Sequence, residues 1–329
     1  MRHCLNLLLV LFAVSVAGCA SAAPVLKQET SIPLPGVEKR IDHLGVDTAH
    51  HRLFVAALGN NTIEVIDLAA AKQVRSLAGL HEPQGIVFVP ASNRVFAANA
   101  QGGDLNIYDA SSYAKLGTVP LGEDADNVRY DAKAGRVYVG YGSGALAVLD
   151  AGSLKLLGRV PLAGHPESFQ LEKVGSRVFV NVPDAGQIAV LDRVSQKLLT
   201  TWPVSVARAN FPMALDEADH RLFIGCRDPA MLLVYDTQLG RVVASLPIVG
   251  DTDDLFYDAA AKRVYVSGGE GFLDVVSQRA PDRYERIGHI PTAPGARTSF
   301  FVPELKKLYI AVPHRGDQAA KLLVFTTAL

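Results

Sequence analysis

Polar side chains that could bind a metal ion or a charged ligand, mainly those of histidine, aspartate, glutamate and arginine, occur in each of seven stretches of about 42 residues. Carboxylate oxygens are ligands for Ca²⁺ or Mg²⁺, whereas imidazole nitrogens bind Zn²⁺ or copper. A set that mixes these groups with guanidinium can also bind a small charged molecule. In chain order the residues are Asp42 and His43, His81 and Glu82, Asp124 and Asp126, His165 and Glu167, Arg208 and Asn210, Asp251, Asp253 and Asp254, Arg297, and His314 and Arg315.

No two of these residues have the short spacing of a metal motif formed by a single segment. A metal would therefore need ligands from different repeats that the fold brings together. The candidate ligands are His43, Asp126, Glu167 and Asp253, and the candidate ion is Ca²⁺ or Zn²⁺. The sequence indicates no other cofactor.

A short strand signature carries the repeat: a basic residue, then an apolar, an aromatic and another apolar residue. The seven copies begin at Arg52, Arg94, Arg136, Arg177, Arg221, Arg263 and Lys307. Repetition at one period near 42 residues is typical of solenoids and propellers.

Each copy contains four β-rich pieces separated by turn signals. In the first copy they are Ile41–Val46, Arg52–Ala57, Thr62–Asp67 and Gln73–Leu77. Four short strands per repeat predict an all-β fold, a seven-bladed β-propeller with four antiparallel strands in each blade.

The seventh copy stops after three strands, the last being Leu322–Phe325. At the other end of the chain, Thr30–Gly36 reads like Gly117–Gly122, the last strand of the second copy. We therefore expect the N-terminal strand to complete the last blade, so that residues 23–329 form one domain.

Residues shared by the repeats define the blade, because seven equivalent active centres are improbable. An aspartate closes the third strand in five copies, where its carboxylate can accept turn N–H groups. A site is expected where equivalent positions differ, on the rim of the central channel from which the inner strands start.

The first 22 residues are predicted to be an export signal. A short basic start precedes an apolar stretch from Leu5 to Ala17, too short to span a bilayer. Cleavage after Ala22 would leave a soluble periplasmic protein. Cleavage before Cys19, in a lipobox-like Val16–Cys19, would leave an acylated lipoprotein, and both alternatives stay open.

The composition excludes several classes of protein. The chain of 329 residues is 49% apolar with a net charge of −1, which is too apolar for a disordered protein. Without an excess of lysine and arginine, a nucleic-acid partner is not expected. Three cysteines are too few for a disulfide scaffold or a cysteine-rich metal domain.

The region from residue 25 onwards resembles the YVTN-type, YncE-like seven-bladed β-propellers of bacterial envelopes. The resemblance is carried by Asp42–Asp47, Gly59–Asp67, Glu82–Gly85, Gly268–Gly271 and Pro313–Gly316. It implies a propeller with a binding role. A more distant resemblance to lactonases of the gluconolactonase type, usually six-bladed, implies a divalent metal in the central channel.

The sequence favours an exported, monomeric binding module of the periplasm, which binds a small ligand, an ion or an envelope protein at the channel rim. Membrane contact would come only through a lipid on Cys19. The alternative is a metal-dependent, lactonase-like hydrolase, in which the metal polarises the ester carbonyl and a rim acid or histidine moves the proton.

Overall fold

The computed structural model describes residues 25–327, which form seven four-stranded antiparallel sheets. Each inner strand contacts the inner strands of the two neighbouring sheets, and the first contacts the last. The sheets therefore close into a ring around a central channel, a seven-bladed β-propeller. The predicted fold class is confirmed.

We number the sheets as blades 1 to 7 and give their strands from the inner to the outer edge. Blade 1 contains β2 to β5, at Leu44–Asp47, Arg52–Ala57, Thr62–Asp67 and Lys72–Leu77. Blade 2 contains β6 to β9, at Pro83–Val89, Arg94–Asn99, Asp104–Asp109 and Lys115–Pro120. Blade 3 contains β10 to β13, at Ala125–Asp131, Arg136–Tyr141, Ala145–Asp150 and Leu156–Pro161. Blade 4 contains β14 to β17, at Phe169–Leu171, Arg177–Val182, Gln187–Asp192 and Lys197–Pro203.

The remaining three blades follow the same plan. Blade 5 contains β18 to β21, at Arg208–Asp216, Arg221–Asp228, Ala230–Asp236 and Arg241–Pro247. Blade 6 contains β22 to β25, at Thr252–Asp258, Arg263–Gly268, Phe272–Ala280 and Arg283–Pro291. Blade 7 contains β26 to β28, at Thr298–Val302, Lys307–Val312 and Lys321–Thr326, with β1 (Lys27–Pro33) as its outer strand. The described helical segments are short 3₁₀ turns at Leu58–Asn60, Pro90–Ser92, Pro183–Ala185 and Pro303–Leu305.

The N-terminal strand completes blade 7, as predicted. β1 pairs antiparallel with β28, with Ile32 opposite Leu322, and Ile32 is buried between the blades. The strand begins before the predicted Thr30 and ends at Pro33, and the N–H of the next residue, Leu34, still donates to the Ala320 carbonyl at 3.0 Å. The export signal, Cys19 included, lies outside the described residues.

The aromatic residue of the repeated signature packs in the core between blades. Phe54, Phe96, Tyr138, Phe179 and Phe223 are fully or almost fully buried. The aspartate that closes the third strand caps the following turn, as predicted: Oδ1 of Asp67 accepts the N–H groups of the residues two and three positions later, at 2.9 and 2.8 Å. These shared residues stabilise the blade.

In blades 1 to 6 the arginine of the signature donates to a backbone carbonyl in or beside the next blade. Arg94 of blade 2 donates to the Ala151 carbonyl of blade 3 at 3.3 Å. In blade 6 the equivalent Arg263 donates to the carbonyl of Val25 at 3.0 Å, so this contact also closes the ring. The sequence analysis did not predict this role. Among residues 25–327, no helix has the length and apolarity needed to cross a membrane.

Candidate functional site

A polar cavity of about 190 Å³ lies at the end of the channel where the inner strands begin, and we call it the upper cavity. Its lining contains five basic and five acidic side chains, so the charges are balanced in number. The lining residues are Arg40, Asp42, His43, Gln84, Asp124, Asp126, His165, Glu167, Phe211, Arg227, Asp253 and Arg297.

Four of the lining residues stand on irregularities at the starts of inner strands. The antiparallel register shifts around Gln84 in blade 2, Asp126 in blade 3, Phe211 in blade 5 and Asp253 in blade 6. A bulge bends the strand and re-aims a side chain that regular pairing would place elsewhere. The bulges therefore bring these four side chains to the channel.

Asp126, His165 and Glu167 form a compact donor set. One donor atom from each lies within 4.8 Å of the other two. Nδ1 of His165 is 2.7 Å from the carbonyl oxygen of Gly142, which leaves Nε2 facing Asp126 at 3.7 Å. Metal-binding histidines are commonly oriented by such a hydrogen bond from the second ring nitrogen.

The protonation of this set depends on burial and mutual charge. Burial and the nearby carboxylates of Asp126 and Asp253 raise the pKa of Glu167 to about 8. Burial opposes the charged form of His165, but the Asp126 carboxylate and the Gly142 carbonyl raise its pKa to about 9. Oδ1 of Asp126 is buried and accepts no hydrogen bond from the described residues.

His43 lies deeper in the channel among carboxylates. Its Nδ1 is 3.4 Å from Oδ2 of Asp254, and its Nε2 is 3.4 Å from Oδ1 of Asp42 and 3.9 Å from Oδ1 of Asp126. Burial disfavours the imidazolium, yet Asp254 and Asp42 outweigh it and raise the pKa of His43 to about 10. Burial in turn raises the pKa of Asp42 to about 6.

Guanidinium groups line the wall of the upper cavity opposite the donor set of Asp126, His165 and Glu167. Arg227 and Arg297 both contact the Asp253 carboxylate, Arg297 through Nε at 3.0 Å. The Arg227 guanidinium lies 3.9 Å from the centre of the Phe211 ring and donates to the Thr252 carbonyl at 2.7 Å. Cation–π contact and charge-assisted hydrogen bonds both fix a guanidinium in place.

The structure brings together half of the sixteen rim residues predicted from sequence. Those lining the upper cavity are Asp42, His43, Asp124, Asp126, His165, Glu167, Asp253 and Arg297. Asp254 contacts His43 from below, and Asp251 pairs with Arg297 at 3.0 Å. Among the four candidate metal ligands, Asp126 and Glu167 belong to the compact donor set and His43 and Asp253 do not. The third member is His165, which the sequence analysis selected as a rim residue but not as a metal ligand.

Besides Asp251 and Asp254, six further predicted rim residues do not line the cavity. His81, Glu82 and Arg315 are exposed on the surface. The exposed Arg208 pairs with Asp228 at 2.6 Å, and Nδ1 of His314 is 2.7 Å from Oε2 of Glu38.

Asn210, the sixth, is buried between blades 4 and 5. It donates to the side-chain oxygen of Asn181 at 3.0 Å. These six residues lie in loops or strand ends on the same face of the ring as the upper cavity, but they do not line it.

Sequence analysis missed Arg40, Gln84, Phe211 and Arg227. A signal existed for Arg227, which lies where the second strand of its blade turns into the third. In blade 7 the same type of connection carries His314 and Arg315, which were selected. Gln84 and Phe211 gave no signal, because their exposure to the channel depends on the bulges.

Comparison with known proteins gives the fold. No family model matches the chain, and no curated protein matches it. Among solved structures, a chain of the hydrazine synthase of Kuenenia stuttgartiensis superposes with a TM-score of 0.73 at 14% identity, covering 87% of this chain and 95% of that one. A chain from the crystal structure of a mitotic checkpoint complex superposes with a TM-score of 0.77 at 15% identity, covering 98% and 99%. At these identities the likeness supports the seven-bladed propeller and no particular activity.

Proposed function

We propose that this protein is an exported binding module whose upper cavity holds a divalent metal ion. The supporting observation is the donor set of Asp126, His165 and Glu167, within 4.8 Å of one another and with the imidazole oriented by a backbone carbonyl. The cavity of about 190 Å³ is smaller than pockets for drug-sized ligands, which start near 300 Å³. It suits an ion with a few coordinating atoms.

The chemistry of the three donor groups narrows the choice of metal ion. One imidazole and two carboxylates are a set found for Zn²⁺ and other transition metals, whereas Ca²⁺ takes oxygen ligands in greater number. Three protein ligands leave a coordination position free for water or a small ligand. Of the two ions considered from sequence, the imidazole favours Zn²⁺.

Metal analysis tests this proposal directly. Purified protein is stripped with a chelator, titrated with Zn²⁺ by calorimetry, and analysed for bound zinc after dialysis. We expect one zinc per chain. Zinc affinity should fall at least about tenfold in His165→Ala and Glu167→Gln, because loss of a residue that only orients a ligand already lowers metal affinity about 10- to 100-fold, and loss of the ligand itself should lower it more. His314→Ala, outside the cavity, is the matched control. Wild-type protein that retains no zinc would contradict the proposal.

A metal-dependent hydrolase of lactonase type is the second candidate function. It is favoured by the guanidinium groups of Arg40, Arg227 and Arg297 in the same cavity, since fixed cations can stabilise a developing oxyanion. A metal bound there would polarise an ester carbonyl, and Asp253, which is outside the donor set, would accept a proton. Turnover of a lactone panel by zinc-loaded protein, lost in Asp126→Asn, would establish it. A zinc-loaded protein inert to the whole panel would favour the binding module.

The cellular site of action proposed is the periplasm, and the proposed relatives are the YVTN-type envelope propellers. Support comes from the signal-like sequence of residues 1–22 and from the propeller fold. Mass spectrometry of the mature N-terminus separates the two processing routes. Ala23 as the first residue indicates ordinary cleavage, whereas a diacylglycerol mass on Cys19 that is lost in Cys19→Ser indicates a lipoprotein.

A further inference from the structure

A second cavity of about 340 Å³ continues the channel below His43, and we call it the lower cavity. Seven structurally equivalent residues contribute to its wall, because each pairs across the ladder with the aromatic residue of the repeated signature. They are Gly45, Val87, Arg129, Gln170, Ala214, Phe256 and Phe300. A propeller with seven equivalent blades would place one residue type here. Instead the seven positions differ strongly in charge and size.

The differences give the lower cavity two unlike walls. Phe256 and Phe300, on adjacent blades 6 and 7, pack edge to face with ring centres 5.7 Å apart. Arg129 and Gln170 stand on blades 3 and 4. In a ring of seven, blade 3 lies opposite the junction of blades 6 and 7, so Arg129 and the aromatic wall lie on opposite sides of the channel. Gly45 has no side chain and Ala214 only a methyl group, so the space between the two walls stays open.

The guanidinium of Arg129 has no carboxylate within ion-pairing distance among residues 25–327. Its hydrogen bonds go to the carbonyl of Val128 at 3.0 Å and to the hydroxyl of Ser168 at 3.4 Å. Asp254, the carboxylate among the described residues of this wall, is already engaged by His43 and by the backbone N–H of Ser299 at 2.9 Å. A half-buried cation without a paired anion raises the free energy of the folded state, and a bound anion would offset this cost.

Arg129 is half-buried, and this burial lowers the pKa of its guanidinium although the charges of Asp254 and Asp126 act in the opposite direction. The guanidinium also lies over the Phe169 ring at 5.5 Å, which limits the directions in which it can move. Lys173, exposed at the same cavity, adds positive charge on the side of blade 4 and would attract an anion.

We infer that the lower cavity binds a small organic anion, a carboxylate attached to a flat apolar ring. The carboxylate would pair with Arg129, and the ring would pack against Phe256 and Phe300. The volume lies at the low end of small-molecule pockets, which suits a single ring. Because the site uses other side chains than the proposed metal site, the inference does not depend on metal binding.

Benzoate and benzamide provide a matched pair of probes, since they have nearly the same shape and only benzoate is charged. Calorimetric titration of the purified wild-type protein should show saturable binding of benzoate, and benzamide should bind at least about tenfold more weakly. A charge-assisted hydrogen bond is worth enough to produce a difference of about 10- to 100-fold. Absent benzoate binding, or equal affinity for the two probes, would overturn the inference.

Two substitutions locate the binding. Arg129→Gln should weaken benzoate binding to the level of benzamide. Ala214→Met leaves Arg129 in place but fills the space beside it, and should weaken both probes; it keeps the test valid if Arg129→Gln does not fold. Benzoate binding unchanged in a folded Arg129→Gln or in Ala214→Met would overturn the site. Glu167→Gln, which should lose zinc, should bind benzoate as the wild type does.

Discussion

Nδ1 of His43 lies 3.4 Å from Oδ2 of Asp254, and this imidazole lines both the upper and the lower cavity of the channel. On its other side, Nε2 faces Asp42 and Asp126. His43 is therefore a buried cation between carboxylates, and it separates the proposed metal site from the proposed anion site.

Truncation of His43 should destabilise the fold strongly. In His43→Ala, the buried Asp254 carboxylate loses its cationic partner while Asp42 keeps Arg40 at 2.7 Å, and removal of one partner of a buried pair costs about 3–5 kcal/mol. We expect a fall of about 3 kcal/mol in the free energy of unfolding, measured by urea denaturation at pH 7.

His314→Ala is the control for this measurement. Its imidazole also contacts a carboxylate, that of Glu38 at 2.7 Å, but the Glu38 side chain is 58% exposed. Exposed ion pairs contribute at most about 1 kcal/mol. Equal losses in the two variants would show that the channel carboxylates do not need His43.

Closure of the ring by β1 can be tested by truncating one buried aliphatic side chain of this strand. Ile32 is 2% exposed and packs in the core cluster of blades 7 and 1 with Leu322. Ile32→Ala should lower the free energy of unfolding by about 2–5 kcal/mol, the usual cost of such a cavity. Thr30→Ala, an exposed position on the same strand, is the control. Similar melting curves for both variants would mean that β1 does not hold the ring closed.

A turn aspartate should make stability depend on acid pH. Asp192 accepts hydrogen bonds from the hydroxyl of Ser176 and from the backbone and hydroxyl of Ser195, which lower its pKa from 3.8 to about 2. The folded state thus keeps the charge where the unfolded chain is protonated. This contribution to stability is present above about pH 4 and is lost as the pH falls towards 2.

The comparison of Asp192→Asn with wild type measures that contribution. We expect a lower melting temperature for the variant at pH 6 and a difference that narrows as the pH falls from 4 to 2. Asp184→Asn, in an exposed 3₁₀ turn, should follow the wild type throughout. A difference that stays constant with pH would exclude the titration of Asp192 as its cause.

The fold was predictable because every blade repeats the same strand signature, from Arg52 to Lys307, and a repeat that must bury two faces allows few architectures. The ring closure was predictable because the seventh copy lacks a fourth strand after Leu322–Phe325 and a matching segment precedes the first copy. Both conclusions depend on counting and pattern, which sequence provides.

The site was only partly predictable, because depth in the channel depends on local irregularity. Asp126 and Asp253 were selected as polar residues that break the repeat, but the bulges that direct them inward are visible only in the register of the strands. Arg129 was not selected at all. Its significance comes from the two phenylalanines across the channel, a relationship between distant repeats.

Gly85 should prove essential for the position of Asp126. A Cβ at residue 85 would lie 2.2 Å from the carbonyl oxygen of Asp126 and 2.8 Å from the backbone nitrogen of Val128, so the inner strands of blades 2 and 3 would have to move apart. Gly85→Ala should therefore lower the melting temperature by several degrees and weaken zinc binding. Gly117→Ala, on the outer strand of blade 2 with no atom within 4 Å of the added methyl, is the matched control and should leave both unchanged. If Gly85→Ala keeps wild-type zinc affinity, the close approach of the two strands does not position the Asp126 carboxylate, and the bulge alone must do so.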